Sequence, residues 1–254
     1  MLTTTIGARP CPSALVSTNL VWGMGPSAAS TSTSTPSTPA EAAATARSVA
    51  DAGKEIRQLC AAPLMHGTSG IPGLATLSHG GMLSTLSSRA FDADELWRIV
   101  ELDRITMVTM VGDAFGRPMV ESLDRASAEG RMPDLSSLRL LLSSGVMFSA
   151  ATKEAMLDHH GCTIVDSLGS SEGTGMASQV MSRRRRDTAT ARFRLGEHTR
   201  VLTDEGIDVQ PGSGERGQIA LGWPLPLGYF KDPAKTEEAF PMVAGRRWSI
   251  PGDW

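Results

Sequence analysis

Between Asp166 and Gly175 the chain reads DSLGSSEGTG, a stretch that combines close-approach backbone, hydroxyl donors and one carboxylate. Gly169, Gly173 and Gly175 let a ligand come near the main chain. Ser170 and Ser171 supply O–H donors, and Glu172 supplies hard oxygens of the kind that hold magnesium. The stretch follows CTIV (Cys162 to Val165), a short apolar, β-branched run with the character of a buried strand. A strand that empties into such a loop serves either as a structural turn or as a phosphate or metal site.

The elements around this loop alternate between strand and helix. FDADELWRIVELDR (91–104) has Asp92 as an N-cap with Leu96, Ile99 and Val100 on one side, so the pattern predicts a helix. ITMVTMV (105–111) and LRLLLSS (138–144) are buried-strand runs. AFGRPMVESLDRA (114–126) is helical in pattern but interrupted at Pro118, and SAATKEAMLDHHG (149–161) starts on a serine cap and stops at glycine. This alternation predicts an α/β fold, a mostly parallel, helix-covered sheet. Helix signals fade after about residue 190, where two strand-like runs (199–203 and 217–221) predict a small β-rich subdomain.

Four blocks, in order, resemble the AMP-forming acyl-CoA synthetases of the adenylate-forming superfamily. They are PLMHG (63–67), DLSSLRLLLSSGVMFS (134–149) with the DSLGSSEGTG signature, GSGERGQIALGWPLPLGYFKDPAKTEEAF (212–240), and the closing SIPGDW (249–254). By that resemblance the chain is a fragment of the family's large N-terminal domain. Residues 1–25 are then a degenerate phosphate-loop region, 61–190 an α/β adenylation subdomain and 191–254 the β-rich subdomain, while 26–60, Ser/Thr/Ala/Pro-rich in its first half, is expected to be a low-complexity flexible loop with helical character near Ala40. The family's C-terminal, lysine-bearing domain is expected to be absent.

The resemblance also implies roles. Ser171, with Gly169 and Ser170 beside it, contacts phosphate, and Glu172 engages magnesium. Asp166 faces adenine, Leu168 stands where the family usually stacks an aromatic ring, and the Gly145 turn lies along the base. Asp253 accepts hydrogen bonds from the ribose hydroxyls, and His66 borders the acyl tunnel and the reacting carboxylate. The implied reaction consumes ATP with Mg2+, joins a carboxylic acid, expected to be fatty, to AMP, and then passes it to CoA as co-substrate. Two rivals stand beside this: a related enzyme that loads an acyl carrier protein, and an inactive remnant or binding module. The remnant is favoured by Leu168 and by Ser13, which takes the place of a phosphate-loop lysine and cannot supply its charge.

Composition narrows the partners. The net charge is −3 over 254 residues, so no basic field favours nucleic acid. The four arginines at 183–186 are expected to form a solvated loop. No apolar run reaches the ~18 residues of a membrane span. Three cysteines without metal spacing suit a reducing cytosol, so the expected location is cytoplasmic. The sequence sets no oligomeric state.

Overall fold

A computed structural model describes residues 38–186, 190 and 192–252. Its first element, α1 (Pro39–Asp51), starts on a capping box in which the Thr38 side chain and Glu41 bond each other's backbone, with Pro39 in the first turn. There follow β1 (Arg57–Cys60), α2 (Gly67–Ser78), β2 (Met82–Thr85), α3 (Ala93–Leu102), β3 (Met107–Met110) and α4 (Gly112–Ala128). Then come β4 (Leu140–Ser144), α5 (Ala150–His159), β5 (Thr163–Ser170), β6 (Gly173–Met181) and β7 (Arg194–Leu195). The chain continues through β8 (Thr199–Leu202), β9 (Gln218–Leu221), α6 (Pro233–Ala239), β10 (Met242–Val243) and β11 (Arg246–Arg247).

Seven strands form the main sheet in the order β2-β1-β3-β4-β5-β6-β7. The first five of these run parallel, and β6 turns back antiparallel along β5. From β1 the chain steps outward to β2 and then returns past β1 to lay down β3. The order therefore reverses between β1 and β3, and open α/β sheets bind ligands beyond the carboxyl ends of their strands at such a point. The core sits between the sheet and its helices. Leu59, Val108, Leu141 and Ile164 from successive strands meet Leu96, Trp97, Ile99 and Val100 of α3 and Met119 and Leu123 of α4. At α3 the Asp92 carboxylate accepts from the backbone N–H of Asp94 and Glu95, as the sequence predicts.

The mostly parallel, helix-covered sheet follows the sequence pattern, with four corrections in detail. Residues 38–60 are not one loop. Alanine-rich α1 forms without burying a residue, on helix propensity and its capping box, and β1 lies inside the sheet with Leu59 fully buried. Pro118 does not interrupt its helix: α4 runs through it, because burial of Gly116, Met119, Ser122 and Leu123 along one face outweighs one lost backbone bond. The signature is less a loop than a hairpin, since β5 continues through Ser170 and pairs with β6 across a bulge between Leu168 and Ser170. The C-terminal part carries a helix as well, α6, capped by Asp232 on the Lys235 N–H and opened by Pro233.

That C-terminal part packs onto the main sheet. Ile219 and Leu221 of β9 join Met176 and Ala177 of β6 in a second core, with Leu168 and Leu225 against it. Gly173 fits there because it has no side chain: a Cβ would stand 2.8 Å from Leu221.

Candidate functional site

The turns that leave β1, β3, β4 and β5 all open at the carboxyl edge of the parallel strands, and the sequence-predicted residues sort along it. His66 is the N-cap residue of α2, extended at φ −86° and ψ 138°, with an exposed side chain that makes no cap bond. The glycine turn after β4 faces it. Gly145 has φ +96°, and a Cβ there would lie 3.8 Å from the Thr68 hydroxyl in the first turn of α2. The next turn is fastened to the same loop. Gly112 donates its N–H to the Ser143 hydroxyl at 3.0 Å, Asp113 donates to the Met147 carbonyl at 3.0 Å, and a Cβ on Gly112 would stand 2.4 Å from that carbonyl oxygen. Asp113 in turn accepts from the Ser149 N–H at 2.9 Å and hydroxyl at 3.0 Å, so it ties the start of α4 to the start of α5. Burial pushes the Asp113 carboxyl up, but the Ser149 bonds outweigh it and hold the group below the usual carboxylate range.

At the tip of the β5–β6 hairpin stand Ser171 and Glu172. Ser171 is exposed, and the Ser170 hydroxyl accepts from the Glu172 N–H at 3.2 Å, which closes the turn. Gly169 lies at the bulge, where a Cβ would come 3.1 Å from the Gly173 carbonyl oxygen. The half-buried Glu172 accepts a hydrogen bond from the Tyr229 hydroxyl. That bond holds its carboxyl below the ordinary range, with Ser170 and Lys235 adding to the effect. Among the described residues no cluster of three His, Cys, Asp or Glu side chains could hold a metal. A single carboxylate such as Glu172 could serve only a cation that completes its shell with other oxygens, from phosphate or water.

Other expected positions lie elsewhere. Asp166, expected to face adenine, is buried, and its carboxylate accepts from Lys153 Nζ at 2.7 Å. Lys153 is itself fully buried, donates to Gln179 Oε1 at 2.6 Å and lies 5.2 Å from the Phe148 ring centroid. Burial pushes the Asp166 carboxyl up against the pull of Lys153. Strand alternation turns residue 166 toward α5. Leu168 packs against the second core. Asp253 and the Thr3–Val16 segment with Ser13 lie outside the described residues. Of the arginine run, Arg183 bonds the Leu157 and Asp158 carbonyls at the end of α5 and Arg186 pairs with the Asp158 carboxylate.

Sequence reasoning missed three contributors. Lys153 looks like any helix-surface lysine until α5 is laid on the sheet. Tyr229 stands in the Gly-Tyr-x-x-Asp-Pro segment as the chain's one tyrosine, which was a signal, but 57 residues separate it from Glu172. Gln58 is fully buried on β1, where its amide donates to the Thr109 hydroxyl at 3.3 Å and accepts from Thr76 of α2 at 2.7 Å. Ser69 of α2 shares a 2.8 Å hydrogen bond with Thr109. This polar layer fastens α2, and with it the 63–67 turn, to β1 and β3.

Known proteins share this sequence pattern and this fold. The family model described as AMP-binding enzyme matches residues 35–229. A medium/long-chain-fatty-acid–CoA/3-oxocholest-4-en-26-oate–CoA ligase of Mycolicibacterium smegmatis is 37% identical over 193 residues, 76% of this chain and 35% of the relative. A 3-oxocholest-4-en-26-oate–CoA ligase of Rhodococcus rhodochrous is 36% identical over 76% of this chain and 35% of its own length. The chain thus spans about a third of the curated relatives it matches. Among solved structures, the amide bond synthetase McbA from Marinactinospora thermotolerans is similar with a TM-score of 0.61 at 25% identity, over 82% of this chain and 41% of that one. The anthranilate CoA ligase AuaEII in complex with anthranoyl-AMP shares the fold, with a TM-score of 0.61 at 21% identity over 78% of this chain and 37% of that one. With its family match running from residue 35 to Tyr229, and with this sheet and this signature hairpin, the chain belongs to the AMP-binding enzyme family.

Proposed function

We propose that this chain contributes the nucleotide-facing edge of an enzyme that activates a carboxylic acid with ATP and passes the acyl group to CoA. One observation carries the reading: the Pro63–Gly67 turn, the Gly145 turn and the Ser171–Glu172 hairpin tip all lie at the carboxyl edge of one parallel sheet, the first of them at the point where its strand order reverses. In the reaction a carboxylate oxygen attacks the α-phosphorus of ATP, pyrophosphate leaves, and the CoA sulfur then displaces AMP from the acyl carbon. Glu172 would hold magnesium, which when bound would neutralise triphosphate charge. Ser171, Ser170 and the Gly169 backbone donate to phosphate, Gly145 lies along the base, and His66 faces the acid. Asp253 is proposed for the ribose. The relatives' names favour a fatty or steroid side-chain acid as substrate.

No helix among the described residues is long and apolar enough to cross a membrane, which is compatible with the cytoplasmic location we propose. The test is pyrophosphate release by the full chain with ATP, magnesium, CoA and a panel of fatty and 3-oxo-steroid acids. Where release depends on the acid, Glu172→Ala should lower it by about 10²–10³. Release independent of the acid, or equal in the variant, overturns the assignment. A second reading, nucleotide binding without turnover, is favoured by Leu168: it packs against the second core and offers no aromatic face to a base. ATP binding without acid-dependent release would select it.

A further inference from the structure

Glu172 is the one carboxylate at the hairpin tip, and a turn on its own leaves its side chain free to rotate among rotamers. The structure supplies a clamp from a distant part of the chain. Tyr229 donates its hydroxyl to Glu172 Oε1. The phenol is in turn built in from several sides. Its backbone N–H donates to the Thr236 hydroxyl at 2.9 Å, and that hydroxyl donates to the Asp232 carbonyl at 2.7 Å. Lys235 Nζ lies 4.3 Å from the ring centroid, and the Phe240 ring stands 6.3 Å away. Gly228, just before it, has φ +153°, and a Cβ there would come 2.5 Å from the Thr236 methyl, so the turn closes tightly on α6.

We propose that Tyr229 is a positioning residue for Glu172: it fixes the carboxylate with Oε1 occupied and leaves Oε2 turned to a cation, while α6 anchors the phenol. The proposal rests on the magnesium assignment of Glu172. Carboxylates that ligate metals are themselves hydrogen-bonded, and loss of such an outer partner typically costs about 10- to 100-fold in metal affinity. A preset rotamer lowers the entropy lost on binding, and the phenol does this without adding charge.

The experiment uses the full chain and its Tyr229→Phe, Glu172→Gln and Glu172→Ala variants, with Tyr229→Phe/Glu172→Ala as the double variant of the cycle, since alanine removes the acceptor that glutamine would keep; phenylalanine keeps the ring against Phe240 and Lys235 and removes only the hydroxyl. Denaturant unfolding without ligand reads the contact itself. We expect the double variant to lose no more stability than the worse single one; additive losses overturn the contact. Titration of ATP with and without magnesium reads its purpose. We expect Tyr229→Phe to weaken the magnesium-dependent part of ATP affinity about 10-fold or more and to leave magnesium-free ATP affinity unchanged. Unchanged magnesium dependence in Tyr229→Phe beside a loss in Glu172→Gln overturns the positioning role alone. Magnesium dependence that is missing from the unsubstituted chain, or equal in Glu172→Gln, overturns the metal assignment beneath it.

Discussion

Two turns at the same edge of the sheet rest on different foundations. Beneath the Pro63–Gly67 turn, α2 is pinned by neutral groups: the Gln58 amide and the hydroxyls of Ser69, Thr76 and Thr109, all buried. Beneath the β5–β6 hairpin lies charge, the buried Lys153–Asp166 pair with Gln179 beside it. The two designs fail differently. A neutral network that loses one member leaves a polar group unpaired, whereas a buried ion pair that loses one member leaves an uncompensated charge. The hairpin that carries Glu172 is therefore the more fragile of the two.

The largest effect should come from Lys153→Met, which strands the Asp166 carboxylate in the core. We expect a loss of about 3–5 kcal/mol in denaturant unfolding. Adding Asp166→Leu should return much of it, since a hydrophobic pair of similar volume often matches a buried ion pair. A Lys153→Met loss under 1 kcal/mol would show that the hairpin does not depend on this pair. Next in size is Gln58→Leu. It deprives Thr76 of its acceptor while Ser69 and Thr109 keep each other, so the expected cost is about 1–3 kcal/mol. Thr76→Val in the Gln58→Leu background should add little, and a full additive loss would break the claim that the layer acts as one unit.

The two regions also differ in how far the sequence revealed them. β3 and β4 were exposed as continuous apolar runs, α3 by its one-sided apolar face behind the Asp92 cap, and α5 by its Ser149 cap and the glycine that stops it. The Ser171–Glu172 tip was legible from its glycines and hydroxyls. What stayed hidden depends on side chains that meet only after folding. RQLC reads as an unremarkable polar-apolar mix, yet it is an inner strand, since the Gln58 amide finds partners on two other elements. Asp166 lies within the signature motif, but whether it faces ligand or core depends on strand parity and on Lys153, 13 residues upstream. Charge in a motif says that a group is needed there, not which way it points.

The smallest effect is also the one that separates the two foundations by pH. Asp113 bridges the region between them, accepting from the Ser149 N–H and hydroxyl and pairing with Arg117 at 3.0 Å. Its folded-state carboxyl lies below the ordinary range, so its contribution is present above the unfolded value near pH ~3.9. That contribution is lost as pH falls through the lower folded value, because the unfolded chain takes up the proton first. Asp113→Asn keeps the shape and one acceptor oxygen but removes the charge. The expected cost is about 1 kcal/mol near pH 7, of the size of one capping interaction. The gap between the two proteins should stay constant from pH 7 to about pH 5 and close below about pH 4. Gln58→Leu, which involves no ionisable carboxylate, should show a gap that does not move over the same range. Unfolding curves of both variants from pH 3 to 7 decide it. A gap for Asp113→Asn that persists undiminished at pH 3 would show that Ser149 is held by geometry alone and that charge has no part in joining the starts of α4 and α5.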